Sequence, residues 1–371
     1  MKNLVLVSVI LISLMGLNAC KKDDNGTGGN DNFDRKAMLT NYADNYVAPA
    51  YADMLQKLDD LETITAQFTG NPDELNLQSL RNSWKTAWLT WQKVDLLEFG
   101  PAEDATLRMF MNIYPTSETR INNNISAGAY DLETFGNKDV QGFPALDYLL
   151  NGTGNTDAEI VDYFSNGALA GNRRQYLLDI VDKMHSKVQA VQSGWNGYKD
   201  QFISATGTDV NSSLSKMVNS FVLYYERYLR STKIGIPVGA MSGIALMEQT
   251  ESNYTPELAN ELALVSLESV EKFYEGVSYD GAADGMGMKD YLAAIGTRDN
   301  DKLIADIVSE ELDEAQGTLA GLNTSIKDAA TSNRPALLNA YDQLQDLVPL
   351  FKVDMISAFG ISITYVDNDG D

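Results

Sequence analysis

The chain is poor in cysteine and histidine, with one residue of each among 371. The single cysteine, Cys20, excludes an internal disulfide, and the single histidine, His185, excludes a metal centre built from several imidazoles. His185 lies between Lys183 and Lys187 on the flank of a predicted helix, with no neighbour at a metal-ligand spacing. We therefore interpret His185 as a half-exposed surface residue. The sequence also lacks the motifs of serine hydrolases, zinc peptidases, phosphate-binding loops and dithiol redox proteins.

Basic residues are scarce as well, with 28 Lys and Arg against 52 Asp and Glu and a net charge of -24. A chain this acidic repels the phosphates of nucleic acids and the headgroups of anionic lipids. It also raises the local concentration of cations. The composition therefore excludes a nucleic-acid partner and leaves iron or another cation open as a ligand, while no cofactor is assigned.

The amino terminus has the layout of a bacterial lipoprotein signal. Lys2 precedes an apolar run over residues 4–17, which is too short for an ordinary membrane-spanning helix. The run ends in Leu17-Asn18-Ala19-Cys20, a lipobox-like sequence. We predict that residues 1–19 are a cleaved signal peptide and that Cys20 carries lipid and anchors the protein to a membrane. The alternative is a signal peptide cut elsewhere, with Cys20 as a buried free thiol.

Residues 20–32 contain no apolar stretch after the cysteine and are predicted to form a flexible tether. Lys21-Lys22-Asp23-Asp24 resembles the surface-export signal of some Gram-negative lipoproteins, although a solvated charge run has the same composition. We therefore predict an outer-membrane lipoprotein. The cell-surface side is favoured over the periplasmic face.

Helical periodicity dominates from Phe33 onward, so the fold class is all-α. We predict two antiparallel helical bundles packed against each other, residues 33–205 and residues 206–371, with a short extended tail at the carboxyl terminus. The predicted helices include Arg35–Phe68, Leu75–Phe99 and Leu303–Lys327. Apolar side chains at helical spacing predict further helices that contain the stripes beginning at Leu177, Leu214, Leu258 and Leu337. The last of these helices is expected to bend at Pro349 and to end at Gly360. The predicted loops are Asn122–Gln141, Asn151–Asp157 and Asp280–Gly287.

The predicted helix Leu75–Phe99 carries an unusual combination of side chains. Trp84, Trp88 and Trp91 recur at helical spacing, and Asp95 and Glu98 continue the stripe within roughly 40° of the same direction. Buried acids need a partner, a metal or a proton, so this face is a candidate for a polar pocket lined by tryptophan. The alternative is that the tryptophans are core and the acids are solvated at a helix end.

Several short motifs follow one another along the chain. They are the tryptophan-rich helix, Phe99-Gly100-Pro101, Ile113-Tyr114-Pro115, Arg120-Ile121-Asn122, Gly142 to Leu150, Lys233-Ile234-Gly235-Ile236-Pro237, Glu251-Ser252-Asn253-Tyr254-Thr255 and the Asp-Gly-Asp ending. In this order they resemble the imelysin family, the M75 peptidases, over nearly the whole mature chain. That family has the signature GxHxxE, for which this chain has Gly142, Pro144 in place of the histidine and Asp147 in place of the glutamate.

The resemblance implies two bundles facing each other across a cleft that contains the signature, and a part in iron or haem acquisition at the cell envelope. Proline has no ring nitrogen to hold a metal or move a proton, so we predict a non-catalytic protein that binds a ligand or an envelope protein partner. The predicted cleft residues are Trp84, Trp88, Trp91, Asp95, Glu98, Tyr114, Pro115, Gly142, Pro144, Asp147, Glu251 and Ser252.

Alternatives to this interpretation stay open at the level of sequence. Pro144 and Asp147 also suit the first turn of an ordinary helix, where proline is tolerated and an anion is favoured. An active M75-type peptidase would need a different water activator, such as Asp95 and Asp147 sharing a proton. A surface scaffold or adhesion protein would bind no small ligand. Asp367–Asp371 is too short for a calcium-binding EF-hand and is expected to be a family-like structural terminus or an acidic tail, with low-affinity cation contact left open.

Overall fold

The computed structural model describes residues 32–366, and this part of the chain is almost entirely helical. The predictions for the signal peptide, Cys20, the tether and Asp367–Asp371 lie outside the described residues. The α-helices are α1 Arg35–Asn41, α2 Ala48–Gly70, α3 Glu74–Gln92, α4 Pro101–Ala105, α5 Arg108–Met111, α6 Glu118–Ala127, α7 Gly142–Asp147, α8 Asp157–Ser165, α9 Ala170–Ser204, α10 Ser213–Leu223, α11 Ile236–Val238, α12 Leu258–Glu275, α13 Met288–Ile295, α14 Ile304–Ala320, α15 Ile326–Ser332, α16 Arg334–Pro349 and α17 Ile356–Ala358.

Wider and tighter helical turns join some of these helices without a break. The π-helical segments are Tyr42–Val47, Tyr148–Gly152, Tyr224–Gly235 and Leu350–Met355, and the 3-10 turns are Asp95–Leu97, Phe135–Val140 and Met247–Gln249. Two strands of two residues each, β1 Arg298–Asp299 and β2 Lys302–Leu303, form an antiparallel hairpin. No helix between residues 32 and 366 combines the length and apolar character needed to cross a membrane.

The starts of several helices follow from residues whose side chains accept hydrogen bonds from the first turn. Asp34 accepts from the backbone N–H of Ala37 at 2.9 Å, and Asp73 accepts from that of Asn76 at 2.8 Å. Each bond satisfies a donor that the helix itself cannot use. The sequence thus fixes where α1 and α3 begin.

The helices pack as two bundles with one continuous core. In the first bundle α2 lies between α3 and α9, and in the second α14 packs on α12 and α16. The bundles meet where α3 packs on α12, and buried apolar side chains of both bundles form one cluster. The predicted stripe on α9 is confirmed as core, since all of its members are buried: Leu177, Val181, Met184, Val188, Val191 and Trp195.

Three predicted element boundaries are wrong. The helix predicted over Leu75–Phe99 ends at Gln92, because the Asp95 carbonyl and carboxylate both accept hydrogen bonds from Arg108 and the chain turns to meet it. The predicted loop Asn122–Gln141 begins inside α6, which ends only at Gly128 in the left-handed conformation (φ 65°). The helix predicted over Leu303–Lys327 is broken after Ala320 into α14 and α15.

The end of the described chain agrees with the prediction. A π-helical segment follows Pro349, and Gly360 stops the last helix with a positive φ of 64°. Residues 361–366 contain neither helix nor strand. Their backbone is held to α10 by Asn219, which donates to the carbonyl of Ser362 and accepts from the N–H of Thr364.

Candidate functional site

A buried polar cluster lies where the two bundles meet. Gln92 is the last residue of α3, and Asn112 follows α5, both in the first bundle. The second bundle contributes Lys233 from the π-helical segment after α10, Glu251 from the loop before α12, and Ser266 from α12. All five side chains are less than a tenth exposed. Buried polar groups of this kind require partners.

These partners come from within the cluster. The Lys233 ammonium donates to Glu251 Oε2 at 2.5 Å and to Gln92 Oε1 at 2.7 Å. Glu251 Oε1 accepts from Asn112 Nδ2 at 2.7 Å and from Gln92 Nε2 at 3.2 Å, and Ser266 donates to Gln92 Oε1 at 2.9 Å. The ion pair between Lys233 and Glu251 is 2% exposed on both sides. Residues of both bundles therefore supply the hydrogen bonds of one buried ion pair.

A second buried ion pair lies beside the first. Arg108, at the start of α5, donates to the Asp95 carboxylate and carbonyl, and its guanidinium lies 3.8 Å from the centre of the Tyr228 ring. Burial raises the pKa of Asp95, whereas the positive charges of Arg108 and Lys233 oppose that rise. The charges of Asp95 and Glu251 are thus each balanced by a basic side chain.

A cavity of about 180 Å³ opens beside the two ion pairs. It is lined by Asp95, Asn112, Ile113, Tyr114, Tyr228, Thr232 and Lys233. Burial, together with the negative charges of Glu251 and Asp95, raises the pKa of Tyr114 well above its usual value. The cavity therefore places the Tyr114 phenol, which stays protonated at neutral pH, beside the side chains of Asp95 and Lys233.

Asp147 holds the loop that carries Glu251. Its Oδ2 accepts from the N–H of Tyr254 at 2.9 Å, and its Oδ1 accepts from the Thr255 hydroxyl at 2.7 Å and from Asn151 Nδ2 at 3.2 Å. The expectation that Asp147 lies in the first turn of a helix is wrong, because it is the last residue of the six-residue α7. It acts as a tertiary anchor between the two bundles.

The stability of the protein is expected to depend on pH through Asp147. Burial raises its pKa from 3.8 to about 6, although hydrogen bonds from Thr255, Tyr254 and Asn151 oppose the rise. The folded state therefore holds this proton more tightly than the unfolded state, and the resulting stability, present below pH 4, is lost as pH rises through 6. Relative to Asp147→Asn, the wild type should lose about 2 kcal/mol between pH 4 and pH 7. Urea unfolding of both proteins at several pH values measures this; a constant difference would contradict it.

Pro144 and Gly142 of the altered signature are buried in α7. Pro144 lies in the first turn of that helix, as predicted. A Cβ on Gly142, whose φ is 77°, would lie 2.3 Å from the carbonyl oxygen of Met111. The glycine therefore lets α7 approach the segment that carries Asn112.

The three tryptophans are core residues. Trp84, Trp88 and Trp91 are at most 2% exposed. The indole of Trp84 donates to the carbonyl of Phe143 at 3.2 Å, and that of Trp88 donates to Asn112 Oδ1 at 3.2 Å. Trp88 thus positions Asn112, which lines the cavity described above, without lining the cavity itself. The prediction that tryptophans line the pocket is wrong.

Glu98 does not share a face with Asp95. It lies at a separate cavity of about 130 Å³ with Lys216, Asn219 and Tyr365, and its carboxylate accepts from the backbone N–H of Arg108. Burial raises its pKa from 4.5 to about 7. The helix that would have aligned the two acids ends before both of them.

The structure brings some of the predicted cleft residues together and separates others. Asp95 and Tyr114 line the cavity, and Glu251 lies directly behind Lys233. Pro115, joined to Tyr114 by a cis peptide bond, is exposed, and Ser252 is buried with its hydroxyl donating to the Thr255 carbonyl. The cavity is therefore smaller than the predicted cleft.

Sequence reasoning missed Gln92, Arg108, Asn112, Tyr228 and Ser266. A signal existed for Gln92, which follows Trp84 and Trp88 at intervals of four and is thus a polar residue on a buried face. Arg108 begins the four-residue α5 and Asn112 directly follows it, so no helical periodicity marks either residue. Only the tertiary fold brings these two residues to the site.

The fold and the site define an all-helical protein with two bundles that share a buried, charge-balanced polar site. The family model for imelysin, Peptidase M75, matches residues 47–349, and the chain belongs to this family. A curated relative, iron-regulated protein A of Synechococcus elongatus (strain ATCC 33912 / PCC 7942 / FACHB-805), is 23% identical over 266 residues, which cover 67% of this chain and 68% of the relative.

Solved structures show the same fold. That of an imelysin-like protein from Psychrobacter arcticum 273-4 matches with a TM-score of 0.65 and 22% identity, over 89% of this chain and 97% of that chain. A second, of a protein from Parabacteroides distasonis ATCC 8503, matches with a TM-score of 0.68 and 17% identity, over 88% and 95% of the two chains. The predicted family and fold class are thereby confirmed.

Proposed function

We propose that this protein is a cell-envelope lipoprotein that binds ferric iron, together with a small anionic chelator, in the cavity between its bundles and does not hydrolyse peptides. The observation that carries the proposal is the cavity itself, where a carboxylate and two phenols face basic side chains. The name of the cyanobacterial relative, iron-regulated protein A, supports a connection with iron.

The donor atoms suit ferric iron. Asp95, Tyr114 and Tyr228 offer oxygen ligands, which hard cations prefer. The two cations beside them, Arg108 and Lys233, are unfavourable for a bare trivalent ion. They favour a chelate, because carboxylates of the chelator can accept hydrogen bonds from the Lys233 ammonium.

The size of the cavity favours a small chelate over haem. Pockets for drug-sized ligands occupy roughly 300 to 1,000 Å³, whereas this cavity measures about 180 Å³. The haem alternative from the sequence would require the bundles to move apart. A complex the size of ferric citrate is the better match.

The absence of peptidase activity is supported by the state of Asp147. Both of its carboxylate oxygens already accept hydrogen bonds from Tyr254, Thr255 or Asn151, and Pro144 offers no general base. Asp95 is paired with Arg108, so a proton shared between Asp95 and Asp147 finds no support in their hydrogen bonds. The membrane anchor at Cys20, the outer-membrane location and the division at residue 205 remain predictions.

A surface scaffold is the second candidate function. One observation favours it: the loop after α11 exposes Met241 by 67%, Ile244 by 70% and Leu246 by 42%. Exposed apolar side chains gathered on one loop can form a contact site for another protein. Such a surface is compatible with iron binding in the cavity.

The proposal is tested by titrating the protein with ferric citrate. We expect saturable binding and a visible charge-transfer band from a phenolate bound to iron. Tyr114→Phe removes one oxygen from the cavity and is expected to abolish the band or to weaken binding by about tenfold or more. Tyr148→Phe is the matched control, because the Tyr148 hydroxyl bonds to Asn122 and does not line the cavity. If both variants bind ferric citrate equally well, the cavity is not the binding site. If citrate without iron binds as tightly as ferric citrate, the protein does not recognise the metal.

A further inference from the structure

A group of metal-ligating side chains lies on the surface between α2 and α9. Asp59 and Glu62 come from α2, and His185, the only histidine of the chain, comes from α9. One ligand atom of each residue lies within 4.8 Å of the other two. The closest pair, His185 Nε2 and Asp59 Oδ1, is 2.7 Å apart.

The arrangement follows from the packing of the two helices. Asp59 and Glu62 are three residues apart and therefore lie on one side of α2. Their neighbours Leu58 and Leu61 are fully buried, as is Met184 beside His185. The core thus fixes both helix backbones and leaves only side-chain rotations to close the group around an ion.

The basic residues that flank His185 in sequence do not neutralise these acids. Lys183 and Lys187 both pair with Glu133, each at 2.9 Å. Lys57, two residues before Asp59 on α2, pairs with Asp53. Two carboxylates and one imidazole therefore face each other, with the surrounding cations directed to other acids.

We propose that Asp59, Glu62 and His185 bind a divalent first-row transition cation of the zinc type. One imidazole nitrogen and two carboxylate oxygens are ligands that zinc accepts, and partial exposure leaves the remaining positions to water. The site is distinct from the cavity between the bundles, because none of its residues lines that cavity. No local spacing in the sequence connects His185 with these acids, since they lie more than 120 positions earlier.

The test uses the purified full chain without a histidine tag, because a tag would supply its own imidazoles. Calorimetric titration with zinc chloride is expected to show one saturable site. His185→Gln and Asp59→Asn should each weaken it by about tenfold or more. Asp60→Asn is the matched control: it removes the same charge from the next position of α2 but lies outside the group. The control should bind zinc like the wild type.

A second measurement separates a metal site from a simple ion pair between His185 and Asp59. Because the chain has one histidine, its ring signals in an NMR spectrum belong to His185 alone, and zinc should shift them in step with the calorimetric saturation. Unchanged ring signals at saturation, or equal zinc binding by His185→Gln and Asp60→Asn, would overturn the proposal. Wild-type protein with no saturable zinc binding would overturn it too.

Discussion

Replacing Lys233 with methionine is expected to lower the free energy of unfolding by about 3 to 5 kcal/mol, because it leaves the Glu251 carboxylate buried without its counter-charge. Glu251 would keep hydrogen bonds from Asn112 and Gln92, but neither is charged. Methionine fills a similar volume, so the loss reports charge and not a cavity. Urea unfolding at neutral pH measures the effect.

The exposed pair Lys85 and Glu261 provides the control for this variant. Their side chains lie 2.7 Å apart and are both 47% exposed, so Lys85→Met should cost less than about 1 kcal/mol. Adding Glu251→Gln to Lys233→Met removes the unpaired charge and should restore part of the lost stability. If Lys233→Met and Lys85→Met lower the free energy of unfolding equally, the buried ion pair contributes no more to stability than the exposed pair.

Gly142→Ala is expected to destabilise the protein by about 2 to 5 kcal/mol, from left-handed strain of about 1 to 2 kcal/mol and overpacking of about 1 to 3 kcal/mol. The new methyl group would lie 2.3 Å from the carbonyl oxygen of Met111. The methyl group and the carbonyl are both fixed to the backbone, so no side-chain rotation can relieve the contact. The displacement would also move Asn112 away from Glu251.

Gly167→Ala is the control that separates the backbone strain of Gly142→Ala from its steric collision. Gly167 has a φ of 85°, but a Cβ there would meet nothing within 4 Å. We expect about 1 to 2 kcal/mol for this variant, from strain alone. Thermal unfolding of both variants gives the comparison, and a cost at Gly142 no larger than that at Gly167 would argue against the close approach of α7 and Met111.

Periodic features were predictable from the sequence. The stripe from Leu177 to Trp195 follows the helical repeat, and burial of its members on α9 depends on that repeat alone. Gly360 was recognisable as a stop because glycine adopts a positive φ without strain. The all-α class and the family followed from such local signals.

The site was only partly predictable, because its contacts join distant segments. In sequence the acids Asp95 and Glu98 extend the tryptophan stripe, but α3 ends before them, Arg108 pairs with Asp95 in a 3-10 turn, and Glu98 lies at another cavity. Glu251 was identified by resemblance alone, and its partner Gln92 lies 159 positions earlier. No local pattern in one sequence reveals a pairing at that separation.

The shared ion pair makes the two halves of the chain mutually dependent. Lys233 and Glu251 belong to the carboxyl-terminal half, yet Gln92 and Asn112 of the amino-terminal half supply their remaining bonds. An isolated carboxyl-terminal fragment would expose this pair to water, and an isolated amino-terminal fragment would strand two amides at a bare apolar face. We therefore expect the two halves to unfold in a single cooperative transition, like the subunits of an obligate heterodimer fused into one polypeptide.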